Sequence, residues 1–171
     1  MNKITLNVPD GIEHLSDWQE LWNTLPTNQH YILNKRICGC GATEAYIRSD
    51  KKVILASPRK HLLYNKYSQH LKDNLHLYRF TGDKKKYFES RTTSSTDILA
   101  FNDSLTGYIK SGGNKVLTTY DSLRKIMEAL EDSGEDLSQW IVVVDEFQAI
   151  FYDCQYKAVT EYELYLSLIH I

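Results

Sequence analysis

Long hydrophobic runs are missing from this chain of 171 residues: no stretch approaches the ~18 apolar residues that span a bilayer. The N-terminus, Met1 to Pro9, is mixed and short and lacks the apolar centre of a signal peptide. Both absences point to a cytoplasmic protein with no membrane partner. Cysteine is scarce as well. Cys38, Cys40 and Cys154 make an odd number with no disulfide framework, which fits a reducing compartment. Cys38-x-Cys40 has no second ligand pair, so small buried residues beside a glycine loop are a better reading than a zinc site. Nor is there an excess of basic charge. A formal net charge of -2 excludes a general basic coat for nucleic acid, and any such binding must come from a local patch. Internal repeats and low-complexity segments are absent too.

What the chain does have is ordinary globular material, 42% hydrophobic and 25% charged, enough for one domain with a real core. Its most informative segment is Ile141-Val142-Val143-Val144-Asp145-Glu146-Phe147-Gln148. Four aliphatic residues are too few for a free-standing helix but suit a strand covered on both faces. Asp145 and Glu146 then fall at the C-terminal end of that strand, where open parallel α/β sheets place their ligands. A nucleoside triphosphatase holds Mg2+ and orients a water with such a pair.

The rest of the chain alternates between strand and helix patterns. Trp18, Leu21, Trp22 and Leu25 have helical spacing after a Ser16-Asp17 cap, and Pro26 ends that helix. Tyr31 to Cys38 reads as a strand leading into a glycine turn, and Glu44 to Arg48 as the helix after it. Val53 to Ala56 is a short apolar strand closed by Ser57-Pro58. His61 to Leu71 is the next helix, with Leu62, Leu63 and Leu71 for its buried face. Leu75 to Phe80 alternates like a strand, and Gly82 to Lys86 reads as a solvated turn with a charge run. A helix through Ile98, Leu99, Phe101 and Leu105 is broken at Ser111 to Asn114. Lys115 to Thr119 is a strand, and Leu123, Ile126, Met127 and Leu130 mark a helix ending at Ser133-Gly134. This order predicts βαβ units around a mostly parallel sheet.

Gly39-Cys40-Gly41-Ala42-Thr43 lies between a predicted strand and a predicted helix, where a phosphate cradle belongs. Glycines there let backbone N–H groups face phosphate oxygens, and the helix N-terminus adds partial positive charge. Thr43 would supply a hydroxyl to Mg2+. The full loop motif, G-x-x-x-x-G-K-[ST], has a lysine that reaches the β- and γ-phosphates. Here Gly41 and Thr43 match, Ala42 stands at the lysine position, and Arg36 stands at the first glycine. Lys35 or Arg36, folding back, is the expected source of the missing charge. A plain strand-to-helix turn is the competing reading of the five residues.

Two further segments carry strand-end serines and threonines: Ala56-Ser57-Pro58-Arg59-Lys60 and Leu117-Thr118-Thr119-Tyr120-Asp121-Ser122-Leu123. With the glycine loop before them and the acidic box after, the ordered set resembles the first RecA-like domain of superfamily 2 (DEAD/DEAH-like) helicases. The resemblance covers about residues 31 to 150. It implies a P-loop NTPase fold, a three-layer α/β sandwich with a mostly parallel central sheet. It implies ATP bound by Gly39, Cys40, Gly41, Ala42 and Thr43 with Lys35 and Arg36, and Mg2+ held by Thr43 and Asp145. Glu146 would polarise the attacking water, and Gln148 would couple the nucleotide to movement. Ser57, Pro58, Arg59, Lys60, Thr118, Thr119 and Ser122 would hold the backbone of single-stranded or duplex nucleic acid without reading its bases. The structural alternative is that Ser57-Pro58 ends a strand and Ser122 caps a helix.

The departures from the family pattern matter as well. The loop has Ala42 for lysine, and the box reads Asp-Glu-Phe-Gln, a divergence expected of phages and mobile elements. The chain ends 23 residues after Gln148, before any Ser-Ala-Thr-type motif and before the second RecA-like domain that supplies an arginine finger. The expected layout is a helical lead-in over residues 1–30, the RecA-like domain over 31–165, and a tail of artificial appearance over 166–171. The sequence therefore reads as a C-terminally truncated fragment of an ATP-dependent helicase or translocase, and inactive alone. The alternative is a degenerate RecA-like module that binds nucleotide or nucleic acid without turnover.

Overall fold

The structure, a computed structural model, describes residues 5, 7–25, 32–33, 39–89, 94–146 and 149. The chain divides into two compact units, Met1–Ser49 and Asp50–Ile171. The expected strand over Tyr31 to Cys38 lies almost wholly outside the described residues.

In the first unit a 3₁₀ turn, Leu15–Asp17, precedes the single-turn helix α1 (Leu21–Thr24), and α2 spans Ala42–Arg48. The continuous helix expected through Trp18 and Leu25 does not form. The Ser16 hydroxyl donates to the Asp17 carboxylate at 3.3 Å, and neither short helix has a side-chain cap. The apolar residues still meet: Trp18, Leu21, Leu25 and Ala45 are buried together. Trp22 packs edge-on to Tyr46 with ring centroids 4.9 Å apart.

The second unit is built on four parallel strands, β1 (Lys52–Ser57), β2 (His76–Leu77), β3 (Lys115–Thr119) and β4 (Trp140–Val144), in the order β2-β3-β1-β4. Its helices are α3 (Lys60–Gln69), α4 (Lys84–Glu89), α5 (Ser95–Lys110) and α6 (Leu123–Asp132). Register sorts the side chains. Ile54 pairs with Val116 and Val142, so these three share one face. That face packs on Leu105 and Ile109 of α5 and on Ile126, Met127 and Leu130 of α6. Val53, Leu55 and Leu117 point the other way, toward α3, which contacts β1, β2 and β3. Right-handed crossovers running in opposite directions along the sheet require this split. The fold is α/β, with helices layered on an all-parallel sheet.

Several expectations shift in detail. β4 has β1 as its one strand neighbour among the described residues. Its residues Ile141 to Val144 are half-buried rather than enclosed on both faces. β2 is two residues long because Arg79 turns left-handed (φ 69) and the Phe80 N–H closes back on the Leu77 carbonyl at 3.1 Å. Leu71 is 68% exposed, since α3 stops at Gln69; Leu63 alone of the three expected leucines is fully buried. The charge run begins a helix: the Asp83 carboxylate accepts from the N–H groups of Lys85 and Lys86 and starts α4. Ser94 and Asp97 form a reciprocal capping box at the start of α5. No helix among the described residues is long and apolar enough to cross a membrane.

Candidate functional site

In the first unit, Gly39 and Gly41 both adopt the left-handed conformation, at φ 76 and 75. Gly41 is the N-cap of the seven-residue helix α2, and its carbonyl accepts from the Ala45 N–H at 2.8 Å. The loop's carbonyls are tied down: the Leu15 N–H donates to Cys40 at 2.8 Å, and His14 Nδ1 lies 3.2 Å from the Gly39 oxygen. Among the described residues, nothing accepts a hydrogen bond from the N–H of Gly41 or Ala42. The glycine has a purely structural cause that the sequence did not reveal. A Cβ on Gly41 would sit 3.0 Å from the Cβ of His14 and 3.3 Å from the backbone nitrogen of Leu15. Lys35, Arg36 and Gln148 lie outside the described residues.

In the second unit, parallel pairing brings the C-terminal ends of β1, β3 and β4 to one edge of the sheet. Ser57 pairs with Thr119, and both side chains share the α3 face. Thr118 lies on the opposite face, 1% exposed, and does not join them. Ser57 is also 1% exposed, and its Oγ has no hydrogen-bond partner among the described residues. A buried hydroxyl without a partner is costly unless something else satisfies it. Ser122 is 2% exposed and stands at the N-cap of α6, yet makes no side-chain cap; its hydroxyl lies 3.5 Å from that of Thr119. The capping alternative for Ser122 is therefore not what the fold uses. Pro58 and Arg59 connect this edge to α3.

The acidic turn is firmly positioned. The Asp145 N–H extends the β1–β4 ladder by donating to the Ala56 carbonyl at 2.9 Å, and the Tyr120 hydroxyl donates to the Asp145 carbonyl. Glu146 follows with φ 56, a conformation uncommon outside glycine, asparagine and aspartate. Its N–H donates to its neighbour's carboxylate at 3.2 Å, and its carbonyl accepts from Ala149 at 2.7 Å. Burial pushes the Tyr120 phenol well above its ordinary range, and the negative charges of Asp145 and Glu146 push it further. No group of three or more His, Cys, Asp or Glu gathers among the described residues. Mg2+ does not need one, because it takes one or two carboxylates together with phosphate oxygens and water.

A cation near this edge escaped the sequence reading. Arg79, placed mid-strand by the alternating pattern, instead follows the end of β2. Its guanidinium lies 5.9 Å from the Phe101 ring centroid. The Lys60 amine donates to the Tyr87 carbonyl at 2.8 Å. Burial lowers the Lys60 pKa, the Arg79 charge lowers it further, and Asp121 opposes both. The signal for Arg79 was available only in the turn chemistry after Leu77, which the hydrophobic alternation masked.

Comparison with protein-family models, curated proteins and solved structures yields no match to this chain.

Proposed function

We propose that this chain is the ATP-binding, RecA-like P-loop half of a nucleic-acid helicase or translocase of the cytoplasm. The observation that carries this reading is the Asp145–Glu146 turn. It follows a parallel strand directly, is fixed by two backbone hydrogen bonds, and holds Glu146 left-handed. Strained residues of this kind concentrate where geometry serves chemistry. Asp145 would hold Mg2+ through water, and Glu146 would polarise the attacking water. The metal supplies charge neutralisation on the transferring phosphoryl group. Gly39 to Thr43 would take the phosphates through backbone amides, with Lys35 and Arg36 adding charge. Arg59, Lys60 and Thr119, the more accessible residues of this edge, would contact a nucleic-acid backbone, with Pro58 beside them and the buried Ser57 and Ser122 beneath. Thr118, buried on the far face, is left out of it.

A second reading, a module that binds nucleotide without turnover, is favoured by two observations. The Gly41 conformation is accounted for by the close approach of His14 and Leu15, and Ala42 leaves the loop without its lysine. ATP titration with and without Mg2+, followed by turnover with single-stranded DNA, separates the two. Mg2+-dependent binding that disappears in Asp145→Ala, with turnover suppressed in Glu146→Gln, supports the motor half. Binding without turnover supports the module. No binding at millimolar ATP removes both.

A further inference from the structure

The charge of this chain is unevenly distributed. Residues 59–89 hold eight lysines and arginines against three aspartates and glutamates, a net of +5 in a chain whose formal net charge is -2. The positive charge that a local patch would need is concentrated in this stretch. The same stretch, running from α3 through α4, also gathers aromatic rings. His61, exposed in the first turn of α3, stacks on Phe88 of α4 with centroids 4.1 Å apart and planes 12° apart. Tyr64, one turn further along α3, meets Phe88 edge-on at 5.4 Å. Lys84 sits 5.0 Å over the Tyr64 ring, and Lys60 sits 5.4 Å over Tyr87. Lys84, Lys85 and Lys86 are all exposed.

We infer that the His61–Phe88 pair, with Tyr64 beside it and Lys84, Lys85 and Lys86 around it, is a stacking platform for the bases of single-stranded nucleic acid. The inference deepens the proposed function and rests on its nucleic-acid half. His61 lies four residues after Ser57 and directly after Lys60, so a strand whose phosphates meet that edge has bases within reach of the platform. The occupant is single-stranded because a duplex keeps its base faces stacked inside. Stacking on aromatic rings is tolerant of sequence, and the lysines add a salt-dependent backbone term. Packing of α4 onto α3 would account for the buried Tyr87. It does not require a flat stacked pair at the surface among lysines.

The test uses the full chain and fluorescence anisotropy with labelled oligo-dT, oligo-rU and a duplex of the same length, across a salt series. The single strands should bind more tightly than the duplex. His61→Ala should weaken single-strand binding by about fivefold or more, with the salt slope unchanged, while His61→Phe restores it. Phe88→Leu keeps the apolar packing, removes the ring, and should weaken binding in the same way. Replacing Lys84, Lys85 and Lys86 together by Ala should shallow the salt slope. Unchanged affinity in both His61→Ala and Phe88→Leu overturns the inference, as does equal or tighter duplex binding. The two readings fail separately. Mg2+-dependent ATP binding without any oligonucleotide binding sinks the platform and leaves the nucleotide half standing. Oligo-dT binding that needs His61 but survives Arg59→Ala keeps the platform and sinks the assigned backbone contacts.

Discussion

At the scale of single residues, His76 gives the clearest pH-dependent expectation. It sits in β2 with its ring 5.1 Å from that of Tyr108, and burial lowers its pKa from 6.5 to about 4. A base whose folded pKa is depressed resists protonation in the fold, so the unfolded state binds the proton first. Stability should therefore fall as pH drops below 6.5 and level off below about 4, by at most about 3 kcal/mol from this group. His76→Gln should flatten that part of the profile, read from urea midpoints measured across the range; an unchanged slope would show that His76 is not the sensor. Gly41 makes a second residue-scale case. Gly41→Ala meets both left-handed strain and the crowding by His14 and Leu15. It should cost the first unit about 1–3 kcal/mol, and tryptophan fluorescence from Trp18 and Trp22 would report it. Gly39→Ala has the same φ problem but open space, so it should cost less. Equal effects at the two glycines would remove the crowding argument. The strand-end positions of Ser57, Asp145 and Glu146 could be read from the sequence because each follows an unbroken aliphatic run. Arg79 and Tyr120 could not. Their roles depend on where a strand stops and on a hydroxyl reaching 25 positions along the chain.

At the scale of elements, legibility followed how much of an element its own residues determine. β1, β3 and α6 were foreseen to within a residue or two. Their apolar runs and the i, i+3, i+4, i+7 spacing of Leu123, Ile126, Met127 and Leu130 leave one compatible structure. α1 and β2 were overestimated. Hydrophobic pattern says which residues become buried, and Trp18, Leu21 and Leu77 are, but it does not say that a capping bond fails or that Arg79 turns left-handed. α4 was missed because its start depends on Asp83 rather than on a hydrophobic pattern. α5 offers the corresponding test of capping. Ser94 accepts from the Asp97 N–H at 3.2 Å, and the Ser94 N–H donates back to Asp97 at 3.2 Å. Ser94→Ala should cost about 1 kcal/mol, and Ser94→Asp much less. If alanine and aspartate behave alike in thermal unfolding, the box contributes nothing to α5.

At the scale of the whole molecule, the best-defined claim concerns the layering of the unit built on the sheet. Val53 lies on the α3 face of β1, and Ile126 of α6 packs on Ile54 across the opposite face. Both are almost fully buried, at 2% and 0%. Mutations that share no partners add, whereas neighbours in one cluster couple. Val53→Ala and Ile126→Val should therefore destabilise additively to within about 0.5 kcal/mol. Ile54→Val combined with Ile126→Val should deviate from additivity, because the two side chains line the same cluster. Each valine substitution alone should cost about 0.5–1.5 kcal/mol, small enough to leave a folded double variant. Chemical denaturation of the three single and two double variants against the parent decides the matter. Strong coupling between Val53 and Ile126 would mean that the two faces form one continuous core around a short sheet, and the layered description would fail. Additivity across the sheet, with coupling within a face, would show β1 separating two independent packing surfaces. That arrangement would hold Ser57 and the Asp145–Glu146 turn at a rigid strand edge.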